Sequence, residues 1–239
     1  MDLKGASALV TGAGRGIGRA IAVALGDGGA AVTLVSRTKA DLEETARAVR
    51  AAGGRAAIQA GDLRRRADCD AAVATAVSAH GGLQILVNNA GVGGHAPVAE
   101  TGDELWNDVL ETNLGAAFRV TRVALPHLLK GGGHVFMISS LAGQNAIAGM
   151  AAYCASKAAL DHFAACLMLE VRHQGVKVTT IAPGSVDTSF GRDPGNARGE
   201  GWMLTAQDVA RTVVELLGSR DGAHLSRVEM RPLRPPKRA

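Results

Sequence analysis

Two side chains in this chain of 239 residues have the types and spacing for proton transfer. Tyr153 and Lys157 stand four residues apart in a segment of strong helical character, so they share one helix face. Tyr153 is also the one tyrosine present. A phenol near pKa 10 neither gives nor takes a proton readily at neutral pH. An ammonium alongside favours the phenolate, and a shift of ~3 units corresponds to ~4 kcal/mol of differential interaction. Alone, the pair is an ordinary helix-surface spacing. Ser140, at the end of a β-type run, and Asn113, in Glu-Thr-Asn-Leu, are further polar candidates.

A second chemical signal lies near the start. Thr11-Gly-Ala-Gly-Arg-Gly-Ile-Gly18 follows a short apolar run and opens into helix formers. Glycines admit positive φ and close backbone approach, while the free N–H groups of a helix start point at an anion. The spacing is G-x-x-x-G-x-G on Gly12, Gly16 and Gly18, not the common G-x-G-x-x-G. A turn that merely closes a strand-to-helix corner has the same look.

Positioning these residues falls to an alternation of β-type runs and helical patterns. Strands are expected at 6–10, 31–36, 56–60, 83–88, 134–139, 176–182 and 224–231. Helices are expected at 19–25, 39–52, 67–80, 104–129, 151–174 and 205–217, with Pro126 bending or breaking the fourth. Such alternation implies right-handed crossovers and an α/β, doubly wound parallel sheet of about seven strands in one domain. Ligands then sit beyond the C-terminal strand ends, where the unusual residues fall.

The whole chain sets bounds. Apolar content of 47% and charge of 20% suit a folded globule. No run approaches the ~20 apolar residues of a membrane span, and Met1-Asp-Leu-Lys leads into the first strand without room for a signal peptide. Cys69, Cys154 and Cys166 match no metal pattern and read as free thiols, so no metal and a cytoplasmic location are expected. Arg231, Arg234, Lys237 and Arg238 account for the net charge of +4; the rest holds 22 basic against 22 acidic residues. Residues 231–239 therefore read as a short solvated Pro/Arg tail on a body of 1–230, with no nucleic-acid partner.

Together the motifs strongly resemble the short-chain dehydrogenase/reductase superfamily, over residues 5 to about 230. They are the turn at 11–18, Asp62, Asn88-Asn-Ala-Gly91, Asn113, Ser139-Ser140, Tyr153-x-x-x-Lys157 and Pro183-Gly184 with Thr188, all in order on strand ends. The resemblance implies a Rossmann fold and hydride transfer coupled to proton transfer. Ser140 would polarise a substrate carbonyl and Tyr153 would exchange the proton. Lys157 would lower the Tyr153 pKa and hold the nicotinamide ribose. Asn113 would anchor a water leading to solvent. Ser139 rivals Ser140, but the thirteen-residue spacing to Tyr153 favours Ser140.

The resemblance also implies a nicotinamide cofactor held by Gly12, Gly14, Arg15, Gly16, Ile17, Gly18, Ser36, Arg37, Asp62, Leu63, Asn89, Ala90, Gly91, Tyr153, Lys157, Pro183, Gly184, Val186 and Thr188. At the end of the second strand an acid would bind a ribose 2′-hydroxyl, whereas Ser36-Arg37-Thr38 stands here and Asp41 falls in the next helix. A guanidinium binds a 2′-phosphate, so Arg37 with Arg15 argues for NADP over NAD.

A small-molecule carbonyl or alcohol is the expected substrate, beneath a lid at about 188–203 anchored by Phe190, Trp202 and Met203. The alternatives are a 3-oxoacyl-thioester reductase, whose usual C-terminal pattern is missing here, and a non-catalytic NADP-sensing protein. The second helix of the pair at 104–129 and 151–174 is apolar on more than one face, which predicts a homodimer or homotetramer without a membrane partner.

Overall fold

A run such as Ile85–Asn88, with every residue buried, must be covered on both faces. The computed structural model describes residues 1–190, 201–220 and 222–236. Its strands are β1 Ser7–Thr11, β2 Ala31–Ser36, β3 Arg55–Ala60, β4 Ile85–Asn88, β5 Gly133–Ile138, β6 Val176–Pro183 and β7 Arg227–Met230. The helices are α1 Gly16–Asp27, α2 Lys39–Ala51, α3 Arg66–His80, α4 Asp103–Leu110, α5 Ala116–Leu128, α6 Ala151–Val171 and α7 Ala206–Leu217. The strands form one parallel sheet in the order β3-β2-β1-β4-β5-β6-β7.

Two apolar cores sandwich that sheet. Ile21 and Leu25 of α1, Leu42 and Val49 of α2 and Val213 of α7 pack on one face. Val73 of α3, Val120 and Leu128 of α5, and Leu160 and Leu167 of α6 pack on the other. The strand order reverses between β1 and β4, which opens a crevice there at the C-terminal edge. The expected architecture is therefore the observed one.

Local differences have physical causes. Pro126 does not break the pattern over 104–129: it lies inside α5, two residues before its end. The irregularity is a π-turn at Glu111–Gly115 between α4 and α5. The last strand is shorter than the alternation suggested. At 224–225 the sheet edge is met by other bonds: the His224 ring lies 2.8 Å from the Val178 carbonyl, and Thr179 Oγ1 donates to the Leu225 carbonyl at 2.7 Å. Helix α7 opens with a reciprocal capping box between Thr205 and Asp208.

Candidate active site

The glycine turn after β1 is pinned to the end of β4. Thr11 Oγ1 donates to the Val87 carbonyl at 3.2 Å and accepts from the backbone N–H groups of Asn89 and Ala90 at 2.9 and 3.0 Å. Asn89 Nδ2 returns a bond to the Thr11 carbonyl at 3.0 Å. Gly12 and Gly16 take φ of 63° and 56°, the left-handed region that glycine enters without penalty. Arg15 precedes α1 in extended conformation, no side chain caps the helix, and its first turn holds no acid. The donors at the start of α1 are thus left for an anion. A Cβ on Gly18 would stand 2.3 Å from the Gly12 carbonyl oxygen and 2.4 Å from Asn89 Nδ2. Gly18 therefore serves the close packing behind the turn.

Helix α6 and the end of β5 carry the polar set. Ser140 follows β5, and its Oγ accepts from the Ala142 N–H at 3.1 Å, capping a short 3₁₀ turn. Tyr153, in the first turn of α6, is 8% exposed, and Lys157 is 4% exposed one turn later. Lys157 Nζ donates to the Ile138 carbonyl at 2.8 Å, and Ser139 Oγ donates back to the Lys157 carbonyl at 3.5 Å. The serine pair thus divides between a side chain facing Tyr153 and one tying β5 to α6.

The electrostatics differ from the expected pairing. Burial pushes the Tyr153 phenol above its ordinary value, a hydrogen bond with Ser140 opposes it, and Lys157 does not figure among the causes. The Lys157 ammonium lies 5.8 Å from the Tyr153 ring centroid and is bonded to the Ile138 carbonyl instead. The depression of Tyr153 by Lys157 is therefore absent from this state. Burial also lowers Lys157 to about 8, with Asp161 opposing. At neutral pH Tyr153 holds its proton, and most Lys157 side chains hold theirs.

Asn113 lies in the π-turn, 1% exposed, and does not reach the cavity wall. Its Oδ1 accepts from the Val92 N–H at 2.8 Å; its Nδ2 donates to the Val92 carbonyl at 3.0 Å and to Ser156 Oγ at 2.9 Å. It clamps the chain after β4 to α6. A π-turn shifts the backbone register at this point, a feature common at functional sites.

These elements enclose a cavity of about 1380 Å³ along the C-terminal edge of the sheet. Ser140, Tyr153 and Lys157 line it, as does every residue expected to hold a cofactor except Gly18. The far end is electrostatically mixed. Arg15 and Arg37 are exposed at its wall, but Asp41 lines it as well. A Cβ on Gly14 would come within 2.9 Å of Asp41 Cβ and 3.1 Å of Ser36 Oγ. The expectation of no carboxylate there is corrected: the first turn of α2 leans onto the glycine turn. The Asp62 carboxyl is held below its usual range chiefly by a hydrogen bond from Arg64, which also pairs with Asp108.

A protein-family model described as short chain dehydrogenase matches residues 6–198. The chain belongs to that family, a family of oxidoreductases. It is 37% identical over 205 residues to a putative ketoacyl reductase of Streptomyces coelicolor, covering 84% of this chain and 78% of that one. A metagenomic short-chain oxidoreductase solved in complex with NADP is 35% identical, with a TM-score of 0.86 over 98% of this chain and 100% of that one. A variant of actinorhodin polyketide ketoreductase solved with NADPH is 32% identical, with a TM-score of 0.87 over 95% and 96%.

Within this family member, sequence reasoning missed several cavity residues. Arg64 and the tail residues Arg231, Pro232, Pro235 and Pro236 all line the wall. Only the tail had a usable signal: β7 is a parallel edge strand, so the chain must leave it at the cavity edge. Most of the expected lid, 191–200, lies outside the described residues; Phe190 and Trp202 at its ends line the cavity. The Phe190 ring is 5.9 Å from that of Tyr153. Among the described residues no helix is long and apolar enough to cross a membrane, and no group of His, Cys, Asp or Glu is arranged to hold a metal ion.

Proposed function

We propose that this protein is an NADP(H)-dependent oxidoreductase interconverting a carbonyl and an alcohol. The observation that carries the reading is convergence: Ser140, Tyr153 and Lys157 share one cavity with an uncapped helix start and a glycine cradle. The residues present fit a dinucleotide. Gly12 leaves room beside Ala90, where a Cβ would stand 2.9 Å from that residue's Cα, and Arg15 and Arg37 can meet a 2′-phosphate. NADPH supplies the hydride when bound.

The chain's own residues do the rest. Ser140 Oγ–H turns from its local role to polarise the carbonyl oxygen. Tyr153, which carries its proton at neutral pH, gives that oxygen its proton. Lys157 holds the proton-transfer end by its tie to Ile138 and offers its remaining N–H groups to a ribose. Asn113 fixes the chain after β4 against α6. Body 1–230 holds Ser140, Tyr153, Lys157 and the glycine cradle, while the tail supplies part of the cavity wall, and the exposed Phe118 and Leu169 on α5 and α6 support a homo-oligomer formed through those helices.

The absorbance of NADPH, followed with ketones, aldehydes and acyl thioesters, tests the reaction class. Tyr153→Phe is expected to lower turnover at least 10²- to 10⁴-fold with NADPH affinity nearly unchanged; a retained rate would remove Tyr153 from the mechanism. Replacing Arg15 and Arg37 together by Ala is expected to weaken NADPH about tenfold or more beyond any loss for NADH. Equal losses would overturn the 2′-phosphate reading, and Asp41 would then be the dominant group at that end. A 3-oxoacyl thioester is the second substrate reading, supported by the ketoacyl reductase names among similar proteins. Tight NADPH binding with no turnover of any carbonyl would point to a sensor.

A further inference from the structure

The basic tail is not remote from the chemistry. In an all-parallel sheet every strand points its C-terminal end to the same edge, and β7 is the last strand. Met230 pairs with Pro183 of β6, and the Gly184 N–H donates to the Met230 carbonyl at 2.8 Å. Residues beyond Met230 are therefore delivered to the cavity mouth beside the Pro183-Gly184 turn.

They stay there for two reasons. Pro232 packs onto the turn, its Cδ and Leu141 Cδ1 each lying 3.2 Å from where a Cβ on Gly184 would be. Three of the six residues 231–236 are proline, which fixes φ and limits the conformations open to the segment. Pro232, Pro235 and Pro236 line the same cavity as Ser140 and Tyr153. Arg231 and residues 233–236 are solvent-exposed, yet this segment is also a wall.

Charge distinguishes that wall. Asp41 and Asp62, the acids among the described lining residues, stand at the opposite end with β2 and β3. On the tail side the ionisable side chain is Arg231. Its guanidinium is bound to Glu229 at 2.9 Å with the two side chains 59% and 36% exposed, and Glu229 is also held by Gln144. An exposed pair of this kind contributes little, so it yields readily to a better-placed anion. A guanidinium offers five N–H donors in a planar fork suited to carboxylate or phosphate.

We propose that residues 231–236 form the distal wall of the substrate pocket and that Arg231 receives an anionic group, carboxylate or phosphate, on the carbonyl substrate. The proposal rests on the reading of this cavity as a carbonyl-reducing site. It assigns the substrate class there: oxo compounds bearing an anion away from the reacting carbon.

The test compares matched ketones of one length ending in a carboxylate, its methyl ester or a phosphate ester, in wild type, Arg231→Gln and Arg231→Lys. The wild type is expected to favour one or both anions over the ester in kcat/KM by about tenfold or more. Arg231→Gln is expected to collapse that ratio through KM, and Arg231→Lys to restore part of it. The carboxylate and phosphate arms show which anion the subsite takes. An undiminished ratio in Arg231→Gln, or a wild type preferring the ester, would overturn the proposal. Should no ketone turn over, binding of the same compounds to the NADPH complex, read by nicotinamide fluorescence, separates the two failures. Anion binding lost in Arg231→Gln would uphold the subsite while the reaction class fell; anion binding that survives the substitution would refute the subsite itself.

Discussion

Acid should destabilise this protein through one residue in the sheet, far from the catalytic groups. His134 of β5 is 4% exposed, stacked on Phe136 at 4.0 Å between ring centroids. Its Nε2 lies 2.7 Å from Thr179 Oγ1, and since that hydroxyl donates to the Leu225 carbonyl, the histidine must donate to it. Burial lowers its pKa from 6.5 to about 3, with His224, Lys177 and the N-terminal amine adding to the effect. The folded state thus refuses a proton that the unfolded chain accepts. Between pH 6.5 and 3 the unfolded state binds more protons, so stability rises with pH there and is lost on acidification. From pH 7 to pH 5 the loss from this residue is about 2 kcal/mol, at ~1.36 kcal/mol per unit beyond the unfolded pKa. His134→Gln keeps an N–H for Thr179 but cannot titrate. Urea unfolding at the two pH values should show wild type losing about 2 kcal/mol more than the variant. His80, also lowered by burial, contributes equally to both proteins and cancels. An equal loss in both would mean that His134 titrates normally and that the structural argument is wrong.

Other expectations concern packing and assembly. Gly18→Ala should weaken NADPH binding at least tenfold, roughly the effect of 1.4 kcal/mol. Its Cβ meets backbone at 2.3 Å and cannot be accommodated without shifting the turn, whereas Gly131→Ala, with nothing within 4 Å, should change stability by less than about 0.5 kcal/mol. Binding that survives Gly18→Ala intact would refute the packing argument. Phe118, 44% exposed beneath the Arg122 guanidinium, and Leu169, 57% exposed, should lie in a subunit contact. Light scattering should give a dimer or tetramer for wild type and a smaller species for Phe118→Asp with Leu169→Asp; a wild-type monomer at micromolar concentration would exclude the contact.

What could be read from the sequence was whatever depends on spacing along the chain. A Tyr and a Lys four apart share a helix face in any helix, and a polar residue closing an apolar run sits at a strand end wherever the sheet is parallel. A parallel sheet covered on both faces follows from the same alternation, whereas the order β3-β2-β1-β4-β5-β6-β7 came from the structure. What could not be read depends on how elements lean on one another. Asp41 is four residues past Arg37 and looked like helix surface, yet the tilt of α2 brings it against Gly14. The Tyr153–Lys157 pair was expected to be coupled because both lie on one face, but sharing a face does not fix where a long side chain ends. Lys157 reaches back to the Ile138 carbonyl, and desolvation then decides both pKa shifts.

This difference bears on the chemistry itself. A tyrosine activated as a phenolate would be prepared to take a proton, which is the oxidative direction. A tyrosine whose pKa burial raises, with its lysine 5.8 Å from the ring, holds its proton more tightly. Activation as a base then requires the Lys157 ammonium to leave the Ile138 carbonyl and approach the phenol. Lys157 would do so where its N–H groups hold the nicotinamide ribose in place of that carbonyl. Since burial alone weakens the phenol as an acid, Tyr153 needs that charge alongside it whichever way the proton moves.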